Sequence, residues 1–322
     1  MTRSMIARLI ALFSAISPML VHAQAPESVM VMEAYSGKIL IAANSSVRRP
    51  VASLAILATA VVAVDWASAT DSDISKLVIT APQTVALVGG LNPMNLQPGD
   101  TLTLRDALYS ALLGSDSLAA LTIADHIGRQ ILAKRGKAGD PVAAFVDEMN
   151  KLASLVGMTE TKFTNPHGLE RPKAKGYSTA ADMARLSVFA MRRNAINFIV
   201  RQKVRHIEIT GTKGKQGFLI HNPNELLGEE GILGIKTGAT AAAGPCLATC
   251  MDRAPLVRAR PDGSKGATPR RLIVVVLNSP DRFGRTRSLL QQGWSIYDAW
   301  LADNAPVKDA GREILSVPAA NP

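Results

Sequence analysis

The chain has 322 residues, 47% of them apolar, with 36 basic against 26 acidic side chains and a net charge of +10. That balance excludes a disordered chain, and the length allows one sizeable core or two modest domains. Aromatic residues make up only 4%, and none interleaves with the densest basic stretch, Arg253 to Arg271, so nucleic-acid binding is not expected.

Arg3 and Arg8 open a basic segment. An apolar run from Leu9 to Val21 follows, broken by Ser14, Ser17 and Pro18, and Val21-His22-Ala23 offers small residues for cleavage. This is the layout of a secretory signal cut after Ala23, since the run falls short of the ~20 residues a spanning anchor needs. Residues 1–23 are read as the signal, 24–302 as one catalytic-type domain with two lobes, and 303–322 as a short disordered tail. The expected location is the periplasm or cell-wall space.

Val29–Met32 and Ile39–Ile41 read as two strands of a hairpin turned at Ser36-Gly37. A helix starts near Ser53. Its apolar run, Val51 to Val64, ends at Asp65 and is too short to span a bilayer, so a buried core helix is expected. Helical patterning continues over Leu104–Leu113, Ser117–Lys134 and from Asp140-Pro141 to Leu155. Another helix opens near Ser178, where Thr179 and Asp182 have capping-box spacing. Strands are expected at Lys203–Thr210, Gly231–Lys236, Pro245–Cys250 and Arg271–Leu277, and a last helix at Arg285–Trp300. The fold class is therefore α+β: an antiparallel sheet built from both chain ends, flanked by helices, with a mainly helical second lobe.

Cys246 and Cys250 fall on one strand, too far apart to pair, and read as buried small hydrophobes. The five histidines are scattered without ligand spacing, so neither a metal nor a cofactor is expected. The basic stretch Arg253–Arg271 reads as a solvated hairpin loop, with contact to an anionic wall polymer or membrane surface as the functional alternative. The tail after Trp300 is too short and too rich in proline for a membrane-anchoring helix.

Three separated motifs carry chemistry. Arg49-Pro50-Val51-Ala52-Ser53-Leu54 puts a serine at a helix start, where N–H groups and the helix dipole favour developing negative charge. Ser115-Asp116-Ser117 joins two helices. Lys236-Thr237-Gly238 ends an apolar strand, where a lysine and a hydroxyl can hold a carboxylate and a glycine leaves room for substrate. The loop Phe163-Thr164-Asn165-Pro166-His167-Gly168-Leu169 and the strand Ala243-Gly244-Pro245-Cys246-Leu247 flank them. Taken singly, Ser53 and Ser117 read as helix caps and His167 as a loop-stabilising donor.

In this order the motifs resemble those of the low-molecular-weight penicillin-binding proteins, and most of all the D-alanyl-D-alanine carboxypeptidases, over roughly Val29 to Trp300. The resemblance implies a β-lactamase/transpeptidase-like fold and a serine acyl-enzyme reaction on the terminal D-alanine of peptidoglycan stem peptides, with β-lactams as possible ligands. It places Ser53 as nucleophile, Ser115 as proton relay, Lys236 and Thr237 as the carboxylate holders beside Gly238, and the N–H groups of Ser53 and Ala239 as the oxyanion hole. Two positions depart from the pattern. Ile56 stands where the family has its lysine base, and Ser117 where it has an asparagine for the substrate amide. Two functions follow: a carboxypeptidase, or a catalytically impaired relative that binds stem peptide or a cell-wall partner without turnover. A β-lactam sensor is a third option.

Overall fold

Both ends of the chain meet in one antiparallel sheet. The computed structural model describes residues 26–172, 174–259 and 264–319; the signal expected over 1–23 lies outside them. In this sheet β1 (Ser28–Glu33) sits between β2 (Ile39–Ala43) and β9 (Lys265–Leu277), and the order continues through β8 (Gly244–Ala259) to β7 (Ile232–Thr240) at the edge. The near-continuous apolar runs of β1 and β9 reflect burial on both faces. Period-2 alternation divides them between two cores. Met30, Met32, Ile273 and Val275 face the helical lobe. Val29, Val31, Val274 and Val276 face the last helix, where they meet Leu289, Trp294 and Tyr297.

The helical lobe begins with a 3-10 turn at Ala52–Ala55 that runs into α1 (Ile56–Ala69). The stretch Ala52–Ala69 is long and apolar enough to cross a membrane, yet it is 67% buried inside the protein. Then come α2 (Leu104–Gly114), α3 (Ser117–Lys134), α4 (Pro141–Val156), α5 (Ala180–Met191) and α6 (Asn194–Val200). Caps fix the starts of α2 to α5: the side chains of Thr103, Asp116, Asp140 and Thr179 each accept a first-turn N–H, and Pro141 opens α4. A second sheet, in the order β3 (Val78–Thr80), β4 (Thr101–Thr103), β5 (Val204–Gly211), β6 (Gly214–His221), borders this lobe.

Several expectations need correction. The strand carrying Lys-Thr-Gly continues to Thr240, so the tripeptide sits inside β7 rather than at its end. The basic stretch is a two-stranded ribbon rather than a loop, because β8 runs on to Ala259 and β9 starts at Lys265. Residues 303–319 of the tail expected to be disordered pack against the domain. Leu315 is buried and its N–H donates to the Gly37 carbonyl (2.8 Å), while Trp300 Nε1 donates to the Pro306 carbonyl (2.9 Å). A short helix, α8 (Ala310–Glu313), lies in this segment. The last long helix, α7 (Arg282–Ala302), starts three residues before the expected Arg285, capped by Asp281. Cys246 and Cys250 both lie on β8, buried and unpaired.

Candidate active site

Ser53 lies in the 3-10 turn, ahead of the α-helix. Its neighbour Ala52 has φ +49, an uncommon left-handed conformation for a residue with a Cβ. The position before the turn is Val51 and no side chain caps it, so Ser53 is not serving as a helix cap. Among the described residues its hydroxyl has no hydrogen-bond partner.

Gly238 on β7 faces this turn at close range. A Cβ placed there would stand 3.1 Å from the Ser53 nitrogen and 3.2 Å from that of Leu54, so only a bare backbone fits without a shift. Two residues back on the same face of β7, the Lys236 amine is buried and donates to Ser115 Oγ and to the Thr237 carbonyl. Among the described residues it has no carboxylate partner. Burial, and secondarily the nearby Arg282 guanidinium, push its pKa down to about 7. Ser115 is the left-handed C-cap of α2 (φ 55), which turns its side chain toward Lys236. Thr237 is also buried, whereas Ala239 is exposed on the edge strand.

The structure thus brings Ser53, Ser115, Lys236, Thr237, Gly238 and Ala239 to one place. Ile56 is fully buried in the apolar core one helical turn beyond Ser53 and offers no proton acceptor. Ser117 sits at the first position of α3, but the cap there is Asp116. Its carboxylate accepts from the Leu118 and Ala119 N–H groups and from the Ser110 hydroxyl, and burial pushes its pKa up to about 6. Ser117 itself is 1% exposed. Its N–H donates to the Leu91 carbonyl (2.9 Å), and a Cβ at Gly90 would lie 2.6 Å from its hydroxyl.

The loop at 165–170 packs under the turn. Asn165 ties it by accepting from the His167 and Gly168 N–H groups and donating to the Leu169 carbonyl. His167 was expected to donate. Instead its Nδ1 accepts the Leu169 N–H (3.2 Å), and Nε2 is buried without a partner. Burial, with a smaller contribution from Arg171, holds His167 down at about 4, so it is neutral at neutral pH.

Two polar residues at this site had no signal strong enough to mark them in the sequence. Arg282 donates to the Gly238 carbonyl (2.9 Å) from the first turn of α7. A cation there opposes the helix dipole, which is the one hint the sequence held. Glu170 accepts from the Thr240 hydroxyl (2.6 Å) at the end of β7. Together these groups set the serine turn directly against an edge strand, with Lys236 and Arg282 on the strand side and the apolar Ile56 on the helix side. Among the described residues no group of three potential ligands could hold a metal.

The sequence pattern that defines the D-alanyl-D-alanine carboxypeptidase family matches residues 15–258. The chain is 27% identical to the D-alanyl-D-alanine carboxypeptidase DacC of Escherichia coli over 84% of its own length and 61% of that protein's. It is 28% identical to the D-alanyl-D-alanine endopeptidase of the same organism, over 68% of this chain and 65% of the relative. It therefore spans less than two thirds of the length of these relatives. A Streptomyces DD-transpeptidase crystal structure superposes with a TM-score of 0.69 at 23% identity, covering 83% of this chain and 96% of that one, a likeness of fold. Penicillin-binding protein D2 of Listeria monocytogenes, in its ampicillin-bound form, superposes with a TM-score of 0.62 at 25% identity, covering 83% of this chain and 96% of that one.

Proposed function

The chain belongs to the D-alanyl-D-alanine carboxypeptidase family, and from that premise we propose that its cleft binds the D-alanyl-D-alanine end of a peptidoglycan stem peptide with little turnover. One observation carries this reading: a buried lysine amine, donor to Ser115 and without a carboxylate partner, beside the serine turn. An uncompensated buried cation is costly, and such groups concentrate where a ligand supplies the missing charge.

In this account Lys236 and Thr237 hold the terminal carboxylate, and Gly238 lets the peptide lie against β7. Ser53 Oγ would attack the carbonyl of the penultimate D-alanine, and the Ser53 and Ala239 N–H groups would receive the oxyanion. Breaking the C–N bond then needs a proton for the departing amine, a role suited to Ser115 backed by Lys236. The attacking hydroxyl also needs a base. Ile56 has no lone pair, a loss typically worth about 10²–10⁴-fold and up to roughly 10⁶-fold where base and nucleophile act as a unit. Binding and the oxyanion hole alone leave about 10³–10⁴-fold over water.

A second reading, turnover with Lys236 as the base by way of Ser115, is favoured by the depressed pKa of that amine. β-Lactams, which carry a comparable carboxylate, are proposed as further ligands of the same cleft. The signal layout of residues 1–23 supports work in the exported, cell-wall space, and a recovered protein beginning at Gln24 is the expected mass-spectrometric result.

The direct test is equilibrium binding to a stem pentapeptide ending in D-Ala-D-Ala and to the tetrapeptide lacking the last residue. Selective binding of the pentapeptide, with slow labelling by a fluorescent penicillin, is expected. Equal affinity for the two peptides would contradict the reading.

A further inference from the structure

The two N–H groups read as the oxyanion hole belong to separate elements. Ser53 is on the 3-10 turn and Ala239 is on β7. An oxyanion hole works only if both donors stand about 3 Å from one oxygen, so something must set the gap between turn and strand. Direct contact at Gly238 fixes the closest approach, with only bare backbone between Gly238 and the Ser53 nitrogen. Beyond Gly238 the strand is paired with β8 on one side, through Ala239 and Thr240, and the contact with the serine turn does not extend to Ala239, which is exposed.

The loop at 165–170 reaches both sides. At one end it is locked to the serine turn. Gly168, at φ +83, lies so close that a Cβ would come within 1.9 Å of the Ala52 carbonyl oxygen, and the Thr59 hydroxyl donates to the Pro166 carbonyl (2.6 Å) from α1. In between, the Asn165 side chain stiffens the loop by accepting from the His167 and Gly168 N–H groups and donating to the Leu169 carbonyl. At the other end Glu170 Oε1 accepts from the Thr240 hydroxyl (2.6 Å), and that hydroxyl oxygen accepts from the Ala243 N–H (3.1 Å), closing the turn after β7. The chain of contacts runs from Ala52 to Thr240, that is, from the residue before one donor to the residue after the other.

We propose that Glu170 is a positioning residue: through Thr240 it holds the Ala239 end of β7 at a set distance from Ser53 and so spaces the two N–H donors for a tetrahedral oxyanion. This rests on the stem-peptide reading of the cleft. Lys236, Thr237 and Ser115 lie on the other side of Gly238, so the carboxylate is held without the bracket. A mere stability contact would weaken every ligand alike. A spacing device weakens the tetrahedral ligand selectively.

The experiment compares two ligands on the full chain: a peptide ending in D-Ala-D-Ala, and a peptide boronic acid with the same terminal carboxylate, whose boron bonds Ser53 Oγ and becomes tetrahedral as the hydroxyl proton passes to the buffer during a long equilibration. Glu170→Ala and Thr240→Val are expected to weaken the boronate about tenfold or more while dipeptide affinity changes less than about twofold, since small misplacements of reacting groups are costly. Glu170→Gln retains an oxygen that accepts from Thr240 and is expected to keep the wild-type ratio. The proposal is overturned if both ligands weaken together, if neither changes, or if Glu170→Gln behaves like Glu170→Ala. The wild-type arms separate the premise from the proposal. Binding of neither ligand removes the stem-peptide reading itself, and D-Ala-D-Ala peptide binding with no gain for the boronate removes the tetrahedral serine adduct on which the proposal stands.

Discussion

Lys236 is the residue on which binding and stability pull in opposite directions. Its amine is buried and its pKa falls to about 7, mainly by loss of hydration. Between that value and the unfolded lysine value of 10.5 the unfolded chain binds more protons than the folded one, so the contribution of Lys236 to stability rises with pH across this window and is unfavourable below it. Lys236→Met should therefore raise the melting temperature at pH 6 and abolish selective peptide binding. A variant that melts lower and still binds would contradict the assigned role. In the wild type a carboxylate ligand prefers the charged amine, so affinity should fall above pH 7, by at most about tenfold per pH unit. Calorimetric titrations from pH 6 to 9 measure this, and a flat profile would mean that the Lys236 charge does not hold the ligand. Ile56 is the counterpart across the cleft. A lysine-free helix face was plain in the sequence, but that Ile56 packs fully into the core is a tertiary fact.

At the level of elements, α2 to α5 were legible because their caps are local, whereas the short α6, with no side-chain cap, gave no such signal. Thr103, Asp116, Asp140 and Thr179 each satisfy a first-turn N–H within three residues of sequence, so pattern and structure agree there. Strands β3 and β4 have three residues each, too few to show alternation, and β6 is recognisable chiefly through its pairing with β5. The loop before β4 was equally silent, yet it shapes the site. Its Gly90 lies against the Ser117 hydroxyl and Leu169, and its Leu91 carbonyl takes the Ser117 N–H. Serine at 117 and glycine at 90 fit each other. Restoring the family residue with Ser117→Asn should overpack this contact and cost about 1–3 kcal/mol in a denaturant titration. Unchanged stability would show that the loop yields freely.

Across the whole molecule, the sheet made from both chain ends was foreseeable from two apolar strand runs far apart in sequence. The path of the last residues was not. Leu315 and Val317 pack on the core beside the β1–β2 turn, and Arg185 donates to the Ser316 carbonyl (3.3 Å) from α5. Short apolar residues between prolines carry no periodic signal, so only long-range contact defines that segment. Leu315→Ala should cost about 2 kcal/mol or more by the usual cavity penalty, and a thermal melt indistinguishable from the wild type would mean that the segment adds nothing to the fold. The two sides of the site differ in kind: the strand side carries the Lys236 amine and the Thr237 hydroxyl, which the proposed reading assigns to a ligand carboxylate, while the helix side carries the apolar Ile56. The rate of D-alanine release from a saturating stem pentapeptide, for the wild type and for Ile56→Lys, tests that most directly. A wild-type rate at least about a hundredfold below the ~10 s⁻¹ of a median enzyme is expected, rising when the lysine is supplied. Release by the wild type near ~10 s⁻¹ would contradict it.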